Sequence, residues 1–243
     1  MDPIVYQHMT DLDQKHWWYL GRRQVLARLI ERYARPPADG AILEVGCGTG
    51  HNLAMLRGFA EVDAVELDES VRAIAEGRLG RKVMSDRLPE LKGVTDKSYD
   101  LICAFDVIEH INDDTAAMTA IARKLRPGGK LAITVPAHPW MWSVHDTINH
   151  HKRRYSKRSL RALVEESPLK LEAIGYLNSL LFPLAVAQRM ASKLAGKEDS
   201  RLGIPPAPVN RLLTAIFAAE RHAIGRVPLP IGLSLFAIAS APE

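Results

Sequence analysis

The chain has 243 residues, of which 47% are hydrophobic and 25% are charged. A chain of this length buries about three-quarters of its extended surface on folding, so a core can form without disulfide staples, and the composition excludes a disordered chain. The 32 Lys and Arg residues against 28 Asp and Glu give a formal net charge of +4, which mildly favours an anionic partner but identifies none.

The cysteine content and the N-terminal sequence indicate the cellular compartment of the protein. Only Cys47 and Cys103 are present, which excludes a disulfide framework and a zinc ribbon and favours a reducing cytoplasm. The N-terminus lacks the basic start and apolar run of a signal peptide, and no segment reaches the roughly 18 apolar residues of a membrane span. We therefore expect a cytoplasmic protein without a transmembrane segment.

The first elements in chain order are a helix over 12–34, a linker over 35–40 with two prolines and a glycine, and a buried strand over 41–45. Alternating elements follow. Further helices are predicted over 51–57, 70–77, 113–125 and 156–166, and further strands over 61–67, 82–84, 99–105, 130–135 and 170–176. Repeated strand–helix units of this length indicate a parallel sheet with helices on both faces.

The last quarter of the sequence has a different pattern. Two amphipathic helices are predicted over 179–195 and 209–224, with a Pro-rich joint at 203–208 between them and a final strand at 233–239. The pattern predicts one α/β domain, divided into an N-terminal helical lid (1–38), a ligand-binding core (39–176), a helical insertion (177–230) and the last strand (231–243). The insertion could line a substrate pocket, form plain core, make a dimer contact or touch a membrane surface.

A glycine-rich turn, Glu-Val-Gly-Cys-Gly-Thr-Gly at 44–50, joins the first strand to the next helix. Glycine lets the backbone turn and approach a ligand without a Cβ in the way. At the end of the second predicted strand, Asp68 can accept hydrogen bonds from both ribose hydroxyls of a nucleoside. The carboxyl ends of parallel strands are where such a ligand binds.

The spacing of the turn argues against a dinucleotide. His51 occupies the position after the third glycine, so the turn reads GxGxG and lacks the GxGxxG spacing of dinucleotide-binding loops. Glu44, just before the turn, is a poor neighbour for a pyrophosphate and suits a ligand with an ammonium group. S-adenosylmethionine carries an ammonium, a sulfonium and a ribose, and has no phosphate.

The run ILEVGCGTG at 42–50 resembles the first motif of class I S-adenosylmethionine-dependent methyltransferases, of the bacterial small-molecule type. Further motifs of that family follow in order: ELDES at 66–70, SDRLP at 85–89, FDVIEH at 105–110 and LRPGG at 125–129. The resemblance implies a Rossmann-like, doubly wound α/β fold with a mostly parallel seven-stranded sheet, helices on both faces, an N-terminal lid helix and a helical insertion before the last strand. It also implies S-adenosylmethionine as the cofactor.

The resemblance further implies the residues that hold the cofactor. Gly46 and Gly48 shape the turn, Asp68 binds the ribose, and the segment containing Asp86 and Arg87 meets the adenine amino group. Asp106 lies within the fourth-strand motif, at the tip of the strand, and would face the cleft, although it could instead cap the helix that begins near residue 112. Asp86 could likewise be a plain turn residue.

The N-terminal segment His-Trp-Trp-Tyr-Leu-Gly-Arg-Arg at 16–23 is a candidate lid. In similar methyltransferases an aromatic–Arg pair at this place lies over the methionine moiety. Arg22 could clamp its carboxylate, and Trp18 could place a ring face against the sulfonium. The alternative is a helix docked on the sheet, with Trp18 as its anchor and both arginines solvated.

Four histidines fall within 138–151, in a loop that leaves a strand and should form one wall of the cleft. His145 and His151 are candidate general bases for a hydroxyl acceptor. The pattern D-x-x-x-x-H-x-R-R-Y, with Asp146 and His151, resembles one found in many bacterial members and could instead hold the loop by hydrogen bonds. A zinc or iron site is a third interpretation, but the spacing matches no known metal motif, and we expect no metal.

A basic run covers 152–161. It could be a solvated face, or it could dock an acidic carrier protein, a phosphorylated or carboxylated substrate, or RNA. RNA is disfavoured because no broad basic surface or appended module is visible.

The sequence thus predicts methyl transfer to a small, apolar or aromatic acceptor, and it favours O-methylation. A carrier-bound acceptor and a homodimer are both compatible with this prediction. The alternatives are an RNA or protein methyltransferase, a nucleoside-binding oxidoreductase, and a silent subunit.

Overall fold

A computed structural model describes residue 10, residues 12–194 and residues 203–243. The six strands are β1 (Ala41–Val45), β2 (Glu61–Val65), β3 (Tyr99–Phe105), β4 (Leu125–Pro136), β5 (Lys170–Leu177) and β6 (Ser234–Ser240). They form one sheet in the order β2-β1-β3-β4-β6-β5. β6 pairs antiparallel with both of its neighbours, β4 and β5, and the other described strand pairs are parallel.

The described helices are α1 (Trp17–Leu29), α2 (Leu53–Leu56), α3 (Glu69–Leu79), α4 (Asp114–Lys124), α5 (Val144–Ile148), α6 (Lys157–Glu165), α7 (Phe182–Leu194) and α8 (Ala207–Ala219). A π-helical turn, Ile30–Ala34, extends α1. The helix predicted over 12–34 begins at Trp17 in the structure. His16 is its N-cap, because the His16 side chain accepts the Trp18 N–H. The last residue of the predicted helix over 179–195 lies outside the described residues.

Two hydrophobic layers sandwich the sheet. On one face, Met118 of α4 and Leu160 of α6 pack on the strands. On the other, Leu29 of α1 and Phe217 of α8 do so. Because both faces are covered, the central strands are apolar almost throughout, as is typical of a mainly parallel sheet. The prediction of helices on both faces is confirmed.

Within the described residues the sheet has six strands, so the predicted seventh strand is not confirmed. The predicted strand over 82–84 contributes a single parallel bridge between Met84 and Val65. The chain then leaves the sheet edge, because the carboxylate of Asp86 closes a local loop by accepting the backbone N–H groups of Arg87 and Gly93.

Helices α1 and α8 pack against each other beside the sheet. The absence of a side chain at Gly21 allows this contact, since a Cβ there would lie 2.9 Å from Cβ of Phe217. The side chain of Asn210 links the two helices by accepting the Trp17 N–H at 2.8 Å and donating to the Lys15 carbonyl at 2.8 Å. The division into lid, core and insertion stays a prediction, but its lid and insertion are in direct contact.

No helix within the described residues is long and apolar enough to cross a membrane.

Candidate active site

The glycine-rich turn lies at the carboxyl end of β1, and its backbone requires glycine. Gly46, Gly48 and Gly50 have φ values of +65°, +55° and +76°. A Cβ at Gly46 would lie 2.8 Å from a methyl group of Val107, and one at Gly50 would lie 2.6 Å from a methyl group of Leu53. The turn therefore keeps the chain in a conformation that other residues adopt only with strain.

Glu44 is a buried carboxylate at the base of this turn. It is 2% exposed, and its Oε1 accepts from the Asn52 side chain at 2.8 Å. Its Oε2 has no hydrogen-bond partner among the described residues. Burial raises the pKa of Glu44 to about 8. The turn thus carries a buried acceptor that a cationic ligand would satisfy.

Glu66 is a second buried carboxylate, which sequence reasoning did not single out. It follows the last residue of β2, and its two oxygens accept the Gly48 N–H at 2.9 Å and the Asp68 N–H at 3.0 Å. Glu66 therefore joins the tip of β2 to the glycine turn. The signal that could have identified it is the end of β2 at Val65, which leaves Glu66 as the first side chain beyond the strand.

Asp68, the predicted ribose ligand, is the N-cap of α3. Its Oδ1 accepts the Ser70 hydroxyl at 2.6 Å, the Ser70 N–H at 3.0 Å and the Val71 N–H at 3.2 Å. These bonds, the Ser70 hydroxyl first, hold the pKa of Asp68 below its usual range. A capping role explains this side chain without a ligand, and its ribose contact stays a prediction.

The predicted adenine segment is also engaged locally. Asp86 accepts the Arg87 N–H at 2.8 Å and the Gly93 N–H at 2.7 Å. The exposed Arg87 side chain pairs with Glu90 at 3.2 Å. The structure thus gives both residues a turn-forming role, and their adenine contact stays a prediction.

Arg22 and Asp106 meet where α1 crosses the carboxyl ends of β3 and β4. The Nη2 atom of Arg22 lies 2.6 Å from Oδ2 of Asp106 and donates to the Thr134 hydroxyl at 2.6 Å. The guanidinium stacks over the Trp18 ring, 4.6 Å from its centroid. Arg22 is 2% exposed, so the alternative with both arginines solvated is wrong. The cap of α4 is Asp113, so Asp106 does not have the capping role considered above.

The segment before α1 also contacts the glycine turn. Asp13 is fully buried, accepts the Thr49 hydroxyl at 2.5 Å and pairs with Arg78 of α3 at 2.6 Å. The Tyr19 ring lies edge-on to His51, with centroids 5.1 Å apart. These contacts fasten the N-terminal segment over the turn.

The loop after β4 is organised around Asp146. Its Oδ2 accepts the Ser143 N–H at 2.8 Å, and its Oδ1 lies 2.9 Å from Nδ1 of His151 and accepts from Arg154 at 2.7 Å. Burial alone would raise the pKa of Asp146, but the bonds from His151 and Arg154 outweigh it and hold that pKa low. These contacts support the interpretation that Asp146 and His151 hold the loop.

His145 lies beside this network, with its ring centroid 6.4 Å from that of His151. Desolvation lowers the pKa of His145, which keeps the imidazole neutral at pH 7. A neutral imidazole is the form that a general base requires. The base role of His145 and of His151 stays a prediction.

Four aromatic rings, two from this loop, one from β5 and one from α7, form an aromatic wall. His138 stacks on Tyr176 with centroids 5.5 Å apart and rings 10° from parallel, and it also contacts Phe182 and Trp140. The Nε2 atom of His138 is buried and has no partner among the described residues. Trp140 itself is exposed.

Several cations of the basic run at 152–161 already form ion pairs within the chain. Arg154 is bound to Asp146, Arg153 pairs with Asp114 at 2.9 Å, and Arg161 lies 3.3 Å from Glu165. Four cations of the run are exposed: Lys152, Lys157, Arg158 and Arg161. Of these, Arg161 pairs with Glu165, which leaves Lys152, Lys157 and Arg158 as the candidate cations for a docking surface.

Residues 18–174 match the family described as "Methyltransferase domain". A protein of Mycobacterium tuberculosis, named a probable S-adenosylmethionine-dependent methyltransferase, is 34% identical over 160 residues, which cover 64% of this chain and 57% of that protein. The chain thus spans less than two thirds of that relative. A ubiquinone biosynthesis O-methyltransferase of Xanthomonas oryzae is 32% identical over 199 residues, which cover 69% of this chain and 83% of the relative.

Solved structures show the same fold. Phosphoethanolamine N-methyltransferase 2 of Haemonchus contortus, in complex with S-adenosyl-L-methionine, matches with a TM-score of 0.61 at 17% identity, over 90% of this chain and 52% of that one. At this identity the likeness concerns the fold alone. Together with the family match over most of the sheet, it confirms what the motifs predicted: the chain belongs to the class I S-adenosylmethionine-dependent methyltransferases.

Proposed function

We propose that the chain transfers a methyl group from S-adenosylmethionine to a small apolar or aromatic acceptor, with oxygen the favoured methylated atom. The observation that carries this proposal is the glycine turn between two buried carboxylates, Glu44 and Glu66. Buried carboxyl groups that a nearby cation can hold in the ionised form favour a cationic nucleoside and disfavour a dinucleotide, whose pyrophosphate would be repelled.

The residues at the turn fit this cofactor. An ammonium group would satisfy the unpartnered Oε2 of Glu44 and stabilise its ionised form. Gly46 and Gly48 present backbone without a Cβ, which allows close approach. The cofactor supplies the activated methyl group on its sulfonium.

For the ribose, we propose Glu66 as a second candidate beside Asp68. Each carboxylate oxygen of Glu66 accepts one backbone N–H, and each has a further lone pair for a ribose hydroxyl. Glu66 also lies next to the glycine turn, whereas Oδ1 of Asp68 is occupied by the first turn of α3. Asp86 and Arg87 remain the candidates for the adenine end.

Arg22 is the candidate clamp for the methionyl carboxylate. The bonds described for it use Nη2, and a guanidinium has five N–H donors in all. Its pairing with Asp106 and its stacking on Trp18 fix the guanidinium plane before a ligand arrives. Preorganisation of this kind lowers the entropic cost of binding.

The aromatic wall of His138, Tyr176 and Phe182 supports an apolar or aromatic acceptor. Methyl transfer from a sulfonium needs mainly alignment and exclusion of water, which such a wall provides. The proton of an acceptor hydroxyl would pass to His145 or His151. The ubiquinone O-methyltransferase among the relatives favours oxygen as the acceptor atom.

We also propose that the acceptor is bound to a carrier protein, that the chain forms a homodimer and that it is located in the cytoplasm. The exposed cations Lys152, Lys157 and Arg158 support contact with an acidic carrier protein. Exposed apolar side chains on α7 and α8, among them Leu184 and Leu212, would suit either an acyl chain or a second copy. The cysteine content supports the cytoplasm.

Calorimetry of the full chain with S-adenosylmethionine, its demethylated product and NAD tests the proposal. We expect both sulfur compounds to bind and NAD not to bind. Binding of NAD alone would overturn the proposal in favour of an oxidoreductase. A labelled-methyl screen over phenols, carboxylic acids, acyl carriers and RNA then identifies the acceptor; labelled RNA alone would favour the nucleic-acid alternative, and no labelled product would favour a silent subunit.

A further inference from the structure

Glu109 is a carboxylate that the proposed function does not use. It lies in the 3-10 turn Ile108–His110 after β3 and has no exposed surface. Neither of its oxygens has a hydrogen-bond partner among the described residues. A buried carboxylate without a partner is costly, so its surroundings indicate which partner it could take.

Two imidazoles adjoin Glu109. One ligand atom each from Glu109, His110 and His151 lie within 4.8 Å of one another. The rings of His110 and His151 are 4.7 Å apart and nearly perpendicular. The backbone brings the two segments together, because the Lys152 N–H donates to the Glu109 carbonyl at 2.7 Å.

We propose that Glu109, His110 and His151 bind a divalent transition-metal ion such as Zn²⁺. Two imidazoles and one carboxylate are a donor set that zinc and other first-row metals accept. Zinc bonds of about 2.0 Å in tetrahedral geometry place ligand atoms roughly 3.3 Å apart, so small rotations of these side chains close the site. The position of a fourth ligand remains open.

The groups around the site support this assignment. Metal-bound imidazoles commonly hydrogen-bond through their other ring nitrogen to a carboxylate. Asp146 provides that partner, 2.9 Å from Nδ1 of His151, which leaves Nε2 for the metal. Asp146 is held in turn by Arg154 at 2.7 Å. This chain of contacts fixes the orientation of the His151 ring.

The metal would link the turn after β3 to the loop after β4 at the edge of the cleft. A metal-bound His151 could not act as a general base, which would leave His145 in that role. The sequence-based expectation of no metal considered only the loop that contains His151. It did not include Glu109, which comes close through the fold. Metal binding and cofactor binding are independent claims and are measured separately.

The test is a titration of the EDTA-treated full chain with Co²⁺, followed by visible absorption. We expect one equivalent to bind, with ligand-field bands in the visible region that Zn²⁺ abolishes. Glu109→Gln and His110→Gln should each abolish the bands or weaken Co²⁺ binding by roughly 100-fold. Far-ultraviolet circular dichroism establishes that each variant is folded.

His150→Asn is the matched control, because His150 is an exposed neighbour with a positive φ of 55° that asparagine tolerates. It should bind Co²⁺ like the wild type. The proposal is overturned if the wild-type chain gives no bands, or if folded Glu109→Gln keeps them. Calorimetry with S-adenosylmethionine on the same samples keeps the two claims apart: cofactor binding without Co²⁺ bands contradicts only the metal site.

Discussion

The turn after β1 and the loop after β4 both follow the carboxyl ends of parallel strands in one sheet but are built in opposite ways. The turn is a contiguous stretch, 44–50, whose glycines are fixed by backbone conformation. The loop depends on side chains from distant segments, such as Glu109 and His151, and is held by the buried Asp146. A short motif therefore identifies the proposed cofactor side, whereas the contacts of the proposed acceptor side become visible only in the folded chain.

The largest expected effect distinguishes two carboxylates on the cofactor side. Glu66→Gln should weaken S-adenosylmethionine binding by roughly 100-fold, because charge-assisted hydrogen bonds to two ribose hydroxyls are weakened. Calorimetry measures it. Asp68→Asn is the matched control, since asparagine is an equally good helix N-cap and should change the affinity little. The reverse outcome would assign the ribose to Asp68.

Glu44 should give the cofactor side a distinctive pH dependence. Its pKa is raised from 4.5 to about 8, so the folded state holds a proton that the unfolded state has lost between these values. Its contribution to stability is therefore full below pH 4.5 and is lost as the pH rises towards 8. Above pH 8, Glu44→Gln should raise the free energy of unfolding by on the order of 2 kcal/mol.

Urea denaturation of the wild type and of Glu44→Gln between pH 5 and 9 measures the difference between their free energies of unfolding. Saturating S-adenosylmethionine should reduce it, because an ammonium group would stabilise the ionised carboxylate. If the free energies of unfolding of the wild type and of Glu44→Gln differ by the same amount at every pH in this range, Glu44 does not have a raised pKa.

The proposed Arg22 clamp, which contacts Asp106 and Thr134, should show a smaller effect. Arg22→Lys keeps the charge but loses the planar fork and the stacking on Trp18, so cofactor affinity should fall by about tenfold. Arg28→Lys on the same helix, where Arg28 is paired with Glu31 near the surface, is the control and should have no effect. Equal affinities for the two variants would remove Arg22 from the site.

The smallest effect concerns the proposed docking of an acidic carrier. Arg158→Gln removes an exposed cation and should weaken binding of an acyl carrier protein by about threefold, with less effect at high salt. Arg161→Gln, whose guanidinium already pairs with Glu165, should have a smaller effect. Biolayer interferometry at two salt concentrations compares them. Wild-type affinity that does not depend on salt would exclude docking through this surface.

The architecture could be predicted because apolar periodicity and caps act locally. The predicted strand over 82–84 failed because it lies at the sheet edge, where Asp86 turns the chain away after Met84. Among the described residues, no partner strand lies beyond this edge to favour a longer ladder. Three residues of suitable propensity are too few to indicate this outcome.

The site was predictable in part. The strand over 61–67 was predicted two residues too long. The prediction therefore placed Asp68, and not Glu66, as the first residue after the strand. The real strand ends at Val65, because its partner Val45 is followed by Gly46, whose φ of +65° ends the pairing. The ion pair between the buried Asp13 and the partly exposed Arg78, and the proximity of Glu109 to His151, depend on long-range packing, which no local pattern encodes.

The central claim is that the glycine turn and the carboxylates beside it hold S-adenosylmethionine. The most direct measurement is a crystal structure of the full chain with the demethylated product. We predict density for the amino-acid end beside Glu44 and Gly46, and for the ribose within hydrogen-bonding distance of Glu66. An empty crevice at full ligand saturation, or density elsewhere on the protein, would contradict it.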